Sequence, residues 1–270
     1  MASEVRVLII TGFGLNCEAE SAHAFKLAGG APELVHLNDL LDGLRSLDEF
    51  QILVFIGGFS FGDHIASGRV LANRLKHRLD EPIQRFIADG KLIIGICNGF
   101  QTMAKLGILP GLDGDYRSQT VTLTTNDSGV FRDAWIELRV EPESPCIFTR
   151  GIERLYLPVR HGEGKFVPLD QKLLERLEDA GLVALRYADP ATGEPTSRFP
   201  HNPNGSVAAI AGLCDPTGRI FGMMPHPEAH LFPWNHPHYA RQAIVGTAPS
   251  EGEGLAIFRN AVAFARENLI

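Results

Sequence analysis

The sequence has little of several features that define common protein classes. Its 270 residues include four cysteines (Cys17, Cys97, Cys146 and Cys214), which form neither a CxxC pair nor a closely spaced framework. No apolar run approaches the ~18 residues that a membrane-spanning helix needs. The first residues lack the basic-then-apolar order of a secretory signal. The sequence therefore predicts a cytoplasmic protein with reduced thiols that binds no membrane.

Positive charge is also scarce. There are 25 Lys and Arg residues against 32 Asp and Glu, a net charge of −7, which argues against a general nucleic-acid binder. Hydrophobic residues make up 44% and charged residues 21%, as in globular proteins. Repeats, low-complexity tracts and linkers are not evident. We therefore expect a single domain over 1–270, with a core at about 4–228 and a C-terminal loop and helix over 229–270.

Short apolar strands alternate with amphipathic helices in the first hundred residues. Strands are predicted over 5–10, 34–37, 52–56 and 92–96. Helices are predicted over 18–27 and over 69–88, with an interruption near Pro82, and a third ends at Gly107. Apolar strands that do not alternate are typical of a parallel sheet covered on both faces. Ligands bind such sheets at the carboxyl ends of the strands.

The second half has a different pattern. Residues 118–125 and 135–140 are predicted to form an antiparallel hairpin, and further strands are predicted over 155–159, 182–187, 207–211 and 220–224. Helices are predicted over 171–180 and 255–268, and loops over 188–205 and 232–254. The expected fold is α/β, with an open, mixed, mostly parallel sheet, helices on both faces and a small antiparallel extension.

The strongest chemical signal is a cysteine between two glycines. Gly95-Ile-Cys97-Asn-Gly99 joins a predicted strand to a predicted helix, which is the cysteine version of a nucleophile elbow. Glycines allow neighbouring segments to approach closely. The free amides at the start of the helix favour a thiolate, and the amide of Asn98 can donate to an oxyanion. An isolated cysteine is usually a small buried hydrophobe, but this context favours a nucleophile.

A thiolate nucleophile needs a base, and the base needs a group that orients it. Met224-Pro-His226-Pro-Glu228 follows a predicted strand. In an extended segment, residues two apart point the same way, so His226 and Glu228 can both face the cleft. The two residues are therefore predicted to be the base and its orienting carboxylate.

A glycine-rich loop at 57–63 supplies a third element. Gly57-Gly58-Phe59-Ser-Phe-Gly-Asp63 follows the third predicted strand, and the amide of Gly58 or Phe59 can supply a second oxyanion donor. A tight turn in which Asp63 caps the next helix is the alternative.

Three other functions were considered. The loop at 12–17 resembles the dinucleotide fingerprint, but Cys17 replaces its third glycine. His226 and His230 resemble part of a zinc motif, but the acid is displaced and prolines interrupt the region, so no metal site is predicted. A non-catalytic binding module with this fold would be expected to lack Cys97 or His226, and both are present.

Taken together, these motifs resemble the class I, triad-type glutamine amidotransferases. Five segments in order are similar to the glutaminase components of phosphoribosylformylglycinamidine synthases: GGFSFGD (57–63), GICNGFQ (95–101), HGEG (161–164), NPNGS (202–206) and PHPE (225–228). The resemblance extends from the first strand to about Glu228 and implies a flavodoxin-like fold.

The resemblance implies that the chain hydrolyses glutamine to glutamate and ammonia. It implies that Cys97 attacks glutamine, that His226 transfers the proton, and that Glu228 orients His226. The amides of Gly58 and Asn98 would hold the oxyanion. Further candidate substrate or interface positions are Phe59, Gln101, His161, Glu163, Asn202, Asn204 and Ser206. For the last five, which belong to the HGEG and NPNGS segments, polar turn residues are the alternative.

The resemblance also implies a partner. A synthetase large subunit would use the ammonia and ATP to convert formylglycinamide ribonucleotide to formylglycinamidine ribonucleotide in purine biosynthesis. ATP and Mg²⁺ are expected on that partner, because this sequence has no P-loop, and no cofactor is expected in this chain. The need for a small accessory subunit stays open.

The C-terminal stretch departs from the family pattern. Separate small subunits usually end soon after the His-Pro-Glu segment, whereas residues 229–270 follow it here. This stretch is similar to the glutaminase domain of the long single-chain form. Because the chain opens on Met1 and soon enters a strand, we expect a separate subunit.

Overall fold

The computed structural model describes residues 4–270. The strands of this range are β1 (Arg6–Thr11), β2 (Ala31–His36), β3 (Ile52–Phe55), β4 (Leu92–Ile96), β5 (Val121–Thr124), β6 (Arg132–Val140), β7 (Arg154–His161), β8 (Lys165–Pro168), β9 (Val183–Tyr187), β10 (Ile210–Cys214) and β11 (Ile220–Met223). The α-helices are α1 (Glu18–Leu27), α2 (Leu37–Leu41), α3 (Arg69–Arg78), α4 (Asp80–Ala88), α5 (Asn98–Leu106), α6 (Gln171–Asp179), α7 (Tyr239–Ile244) and α8 (Leu255–Asn268).

A mixed sheet of nine strands forms the centre, in the order β2-β1-β3-β4-β11-β10-β9-β6-β7. Strands β2, β1, β3, β4 and β11 are parallel to one another. Each of β10, β9, β6 and β7 is antiparallel to its predecessor in that order. Only β10 and β6 therefore run against the common direction of this sheet. The predicted open, mostly parallel sheet is confirmed, and the small antiparallel extension is the separate β5–β8 pair.

Helices cover both faces of the parallel half. Every residue of β3 and β4 is buried, which explains why these strands are apolar runs without alternation. Right-handed crossovers that step in opposite directions along a sheet leave their helices on opposite faces. Accordingly α1 contacts α8, with Phe25 and Phe258 edge to face at 5.0 Å between ring centroids, whereas α3 contacts α5.

The predicted helix over 69–88 is two helices, and its break lies at Leu79 rather than near Pro82. Leu79 has φ −129° and ψ 15°, and it flanks both α3 and α4. Pro82 lies in the first turn of α4, where a backbone amide has no partner within the helix. The proline therefore fits inside the helix and does not interrupt it.

The predicted hairpin of 118–125 with 135–140 is wrong. Strand β5 pairs with β8, which the sequence analysis did not predict, and β6 lies between β9 and β7. The predicted strand at 207–211 begins later, because residues 207–209 form a 3₁₀ turn with Ala208 and Ala209 at positive φ. The predicted loop at 232–254 contains α7.

The topology brings four loops to one edge of the sheet. The carboxyl ends of β1, β3, β4 and β11 are neighbours, and they carry the segments around Cys17, Gly58, Cys97 and His226. Among residues 4–270, no helix combines the length and apolar character needed to cross a bilayer.

Candidate active site

Cys97 occupies a sharp turn between β4 and α5. Its backbone has φ 52° and ψ −106°, which is a strained conformation for a residue with a side chain, and its amide donates to the carbonyl of Met223 at 2.8 Å. A Cβ at Gly95 would lie 2.8 Å from the carbonyl carbon of Gly99, and one at Gly99 would collide with Phe55. Glycine on both sides is therefore required by close backbone contacts, and the turn has the geometry of a nucleophile elbow.

His226 and Glu228 meet in a buried ion pair. The Nδ1 atom of His226 lies 2.5 Å from Oε1 of Glu228, and each residue is only 3% exposed. Burial by itself lowers the pKa of His226, but the charges of Glu228 and Cys97 outweigh it and raise that pKa well above its usual value. The site therefore favours an imidazolium beside Cys97.

The backbone that joins this pair differs from the predicted extended segment. His226 is extended, with φ −105° and ψ 90°, and its amide donates to the carbonyl of Pro158 at 2.8 Å. Residues Pro227–Ala229 then form a 3₁₀ turn. Because proline presets the φ of the first turn residue, Glu228 folds back toward the imidazole. The two side chains were expected on one face of an extended segment, and the turn brings them together instead.

Cys97 and His226 open into one cavity of ≈ 240 Å³. Its lining includes the predicted residues Gly58, Phe59, Cys97 and His226. Sequence analysis missed the other lining residues, which are Asn16, Cys17, Glu20, Phe131 and Arg160. The carbonyl of Arg160 lies 3.6 Å from the sulfur of Cys97. A second cavity of ≈ 510 Å³ shares Glu20 and Arg160 with the first.

One signal could have identified Cys17. Its loop follows β1 directly, so it lies at the same edge of the sheet as the other site loops. In the sequence, that loop resembles only a dinucleotide fingerprint. Here the loop lies against the glycine-rich loop instead, through an antiparallel bridge between Leu15 and Gly58.

That bridge distinguishes between the two candidate oxyanion donors of the glycine-rich loop, the amides of Gly58 and Phe59. The amide of Phe59 donates to the carbonyl of Gly14 at 2.9 Å and is therefore occupied. The bridge does not use the amide of Gly58, whose φ of 141° suits glycine. Asn98 is the first residue of α5, where an amide has no partner within the helix. Of the two candidates at 58 and 59, only Gly58 has an amide free of the bridge.

The side chain of Asn98 ties the glycine-rich loop to α5. Its Nδ2 atom donates to Oδ1 of Asp63 at 3.0 Å and to Oε1 of Gln101 at 3.1 Å. Gln101 in turn donates to the carbonyl of Glu163, and a carboxylate oxygen of Glu163 accepts from the amide of Ser67 at 3.2 Å. Burial raises the pKa of Asp63. The residue before α3 is Gly68, so Asp63 braces the loop rather than occupying the cap position of that helix.

The HGEG and NPNGS segments form a second, buried polar network. His161 contacts Asn126 through Nδ1 at 3.1 Å, and Asn204 donates to the hydroxyl of Tyr187 at 2.9 Å. Ser206 donates to Asn204 at 2.7 Å.

Each predicted member of this network is almost fully buried. The exposures are 2% for His161, 2% for Asn202, 1% for Asn204 and 3% for Ser206. Burial lowers the pKa of His161 to about 3, so this imidazole is neutral. The side chains form hydrogen bonds to one another and join two loops that are distant in the sequence, beside the turn at Cys97.

The histidine pair that resembled a zinc motif does not converge on one point. The Nδ1 atom of His230 bonds to the carbonyl of Tyr156 at 3.0 Å. Within residues 4–270, the side chains close enough to share a metal ion are instead Cys17, His226 and Glu228, whose ligand atoms lie within 4.8 Å of one another. All four cysteines are free thiols.

Comparison with known proteins places this site in a family. Residues 4–265 match the CobB/CobQ-like glutamine amidotransferase domain. The phosphoribosylformylglycinamidine synthase subunit PurQ of Dehalococcoides mccartyi is 46% identical over 265 residues, covering 98% of this chain and 99% of the relative. The PurQ subunit of Methanococcus maripaludis strain S2 is 39% identical, covering 96% of this chain and 97% of the relative. The segment 229–270 is thus shared with relatives that are named as subunits.

Solved structures agree with these relatives. A chain in the structure of PurLQS from Thermotoga maritima is 27% identical, covers 97% of this chain and 99% of its own length, and has a TM-score of 0.69. A glutamine amidotransferase from the same organism is 15% identical with a TM-score of 0.54, covers 98% of this chain and 99% of its own length, and supports the fold alone. The chain therefore belongs to the CobB/CobQ-like glutamine amidotransferases and, within them, to the family of PurQ subunits of phosphoribosylformylglycinamidine synthase.

Proposed function

We propose that this chain is the glutaminase subunit of a phosphoribosylformylglycinamidine synthase, and that Cys97, His226 and Glu228 are its catalytic triad. The observation that supports this most directly is the strained turn at Cys97, in one cavity with His226, whose Nδ1 atom lies 2.5 Å from Glu228. A nucleophile, a base and an orienting carboxylate are the groups that acyl transfer from an amide needs.

The proposed reaction proceeds through a thioester. The sulfur of Cys97 attacks the side-chain carbonyl of glutamine, and the amides of Gly58 and Asn98 donate to the resulting oxyanion. The imidazolium of His226 gives its proton to the departing nitrogen, and ammonia leaves. Water, deprotonated by His226, then attacks the γ-glutamyl thioester and releases glutamate. Glu228 holds the Nδ1 proton throughout and stabilises the imidazolium.

The remaining candidate residues have supporting roles in this proposal. The ring of Phe59 is 45% exposed and lines the cavity, so it can contact glutamine or the partner subunit. Gln101 and Glu163 hold α5 against neighbouring loops. His161, Asn202, Asn204 and Ser206 keep two loops in place near the nucleophile. No metal or cofactor is assigned to the reaction in this chain.

Ammonia is the product that the partner consumes. We assign ATP and Mg²⁺ to a synthetase large subunit, where ATP activates the formyl amide oxygen of formylglycinamide ribonucleotide, and ammonia displaces it. A protected route between the two sites is expected, because ammonium in water is not a nucleophile. A small accessory subunit is an open part of this assembly. We place the reaction in the cytoplasm, which the free thiols support.

Substitution of the nucleophile in the complex with the synthetase subunit tests the proposal. Cys97→Ala should abolish glutamine-dependent formation of the amidine, whereas synthesis from added ammonium salts should continue. Cys146→Ala is the matched control, because Cys146 is another buried thiol outside the cavity, and it should retain both activities. Equal loss of both activities in Cys97→Ala, with the complex intact, would refute the role given to Cys97.

A further inference from the structure

A second thiol lies in the cavity and has no part in the proposed reaction. Cys17 lines the same ≈ 240 Å³ space as Cys97 and His226. A Cβ at Gly57 would lie 3.1 Å from the sulfur of Cys17 and 2.8 Å from Cε1 of His226, so both groups pack against one glycine. The Oδ1 atom of Asn16 accepts a hydrogen bond from the Cys17 thiol at 3.5 Å. The thiol therefore points into a chemically reactive space.

The imidazole of His226, which lines the cavity with both thiols, has one nitrogen without a partner. Nδ1 of His226 is engaged by Glu228, whereas Nε2 is buried and forms no well-aligned hydrogen bond. Both Cys17 and Cys97 nevertheless lie close enough to favour a positive charge on this ring. A buried imidazole nitrogen that shares a cavity with two sulfurs is, once its proton has left, an arrangement that soft divalent cations prefer.

We propose that Cys17, Cys97 and Nε2 of His226 form an inhibitory binding site for a thiophilic divalent cation such as zinc. Two cysteine sulfurs and one histidine nitrogen make a Cys₂His ligand set, which in proteins leaves a fourth position for water. Binding releases two protons, because both sulfurs bind as thiolates and Nε2 binds as the nitrogen of a neutral imidazole. The cation then holds both the sulfur that attacks glutamine and the nitrogen that accepts the proton.

Glu228 belongs to this site as an outer ligand. A histidine that binds a metal through one nitrogen commonly donates its other N–H to a carboxylate, which fixes the ring and increases its basicity. The contact of 2.5 Å between Nδ1 and Oε1 already supplies that arrangement. The same carboxylate would thus serve catalysis in the free enzyme and metal affinity in the inhibited one.

The movement required of Cys17 is small. In tetrahedral coordination, a sulfur 2.3 Å and a nitrogen about 2.0 Å from zinc lie roughly 3.5 Å apart. The ligand atoms of Cys17, His226 and Glu228 are within 4.8 Å of one another. A thiol rotates about a single bond, so the sulfur of Cys17 can approach the imidazole by about 1 Å without a change of backbone. Cys97 lines the same cavity, and its sulfur must turn toward the same point to complete the site.

Direct metal binding tests the site independently of any activity. The full chain, reduced with a phosphine and freed of metal, is titrated with Zn²⁺ against a chromogenic chelator, and with Co²⁺ to detect thiolate-to-cobalt charge-transfer absorption. We expect one equivalent bound with thiolate character. Cys17→Ser and Cys97→Ala should each weaken binding by more than the about 10–100-fold typical of an outer ligand. Glu228→Gln should fall within that range.

Cys146→Ala is the control for the other thiols. Cys146 and Cys214 are a separate buried pair, in which Cys214 also contacts Ser144 at 3.5 Å, and this control should bind zinc like the parent chain. Binding that is unchanged by Cys17→Ser, or lost in Cys146→Ala, would overturn the proposal. If Cys17→Ser melts at a much lower temperature, Cys17→Ala replaces it, because alanine leaves no oxygen ligand.

Inhibition rests on the proposed function, and its measurement separates the two proposals. Zn²⁺ should stop glutamine-dependent synthesis by the complex, saturating glutamine should oppose it, and a chelator should restore the activity. Zinc binding by a chain that hydrolyses no glutamine would leave the metal site standing and refute the glutaminase. Glutamine turnover without zinc binding at these residues would refute the metal site and leave the glutaminase standing.

Discussion

Replacement of Glu228 by glutamine isolates the electrostatic part of the triad. The substitution keeps the size of a side chain that is 3% exposed and removes its charge. Nδ1 of His226 can still donate to the amide oxygen at a distance similar to the present 2.5 Å. What is lost is the attraction between a carboxylate and the imidazolium that, in the proposed reaction, gives its proton to the departing nitrogen.

The size of the effect follows from that attraction. Charge centres about 4 Å apart interact by about 4 kcal/mol at an effective dielectric constant of 20. Since 1.36 kcal/mol changes a rate tenfold, glutamine turnover should fall by about 10³-fold. The KM for glutamine should change little, because Glu228 does not line the ≈ 240 Å³ cavity that holds the nucleophile. Ammonia-dependent synthesis by the complex should not change.

The same substitution should lower the pKa of His226, which NMR of its imidazole protons can measure. Because folding raises this pKa, the ion pair stabilises the protein fully below the unfolded value of about 6.5, and the contribution is lost as pH rises through the folded value. The stability difference between parent and Glu228→Gln should therefore be largest at acidic pH and shrink at alkaline pH.

Asp215→Asn is the matched control for loss of a buried carboxylate. Asp215 is 0% exposed and accepts from the hydroxyl of Tyr116 at 2.9 Å. It precedes β11 whereas His226 follows that strand, so the two residues lie at opposite ends of β11. It should cost about 1–3 kcal/mol of stability without a specific loss of glutamine turnover. A glutaminase that loses less than tenfold in Glu228→Gln, with the pKa of His226 unchanged, would refute this account of the ion pair.

Three further predictions concern the surroundings of the triad. Gly57→Ala should reduce glutamine turnover about 10²-fold, because its Cβ would lie 2.8 Å from the His226 ring. Gly43→Ala is the control, because a Cβ there meets open space, and it should lower the stability of the protein without changing turnover. Equal turnover of the two variants in a glutaminase assay would contradict this prediction. His161 has a pKa lowered by burial to about 3, so it contributes no pH dependence above about 6.5 and an increasing penalty of up to about 5 kcal/mol as pH falls toward 3. The free energy of unfolding of His161→Gln, measured with denaturant, should accordingly fall less steeply than that of the parent chain as pH decreases below about 6.5. The same pH dependence in both chains would exclude a lowered pKa for His161. The isolated chain should hydrolyse glutamine far more slowly than the complex; fast uncoupled turnover would show that the partner does not control the site.

The parts of the fold that the sequence predicted well are those with a local cause. Strand β4 and helices α1 and α8 have the predicted bounds, because buried apolar runs and helical periodicity lie within one segment. The turn at Cys97 was predictable for the same reason, since Gly95 and Gly99 are needed by contacts of the turn itself and of the adjacent strand.

The parts that failed depend on pairing between distant segments. Strand β5 could be recognised as a strand, but its partner is β8, which has four residues and no strong pattern of its own. Likewise, Asn204 and His161 are 43 residues apart, and their network exists only once the sheet has formed. Pairing of this kind is decided by burial in the whole fold, which a single segment does not encode.

Cys17 shows why the cavity could be predicted only in part. The chemistry of the elbow and of the His-Pro-Glu segment can be predicted from the residues next to them in the sequence. Cys17, in contrast, becomes a site residue only because β1 lies next to β3 in the sheet. That order brings Leu15 against Gly58 and the sulfur of Cys17 toward the imidazole of His226. Two thiols and one imidazole nitrogen without a hydrogen-bond partner thus share a cavity in which the proposed reaction uses a single nucleophile. The groups that make a thiolate reactive toward glutamine are also good metal ligands. Soft cations should therefore compete with glutamine for the same cavity.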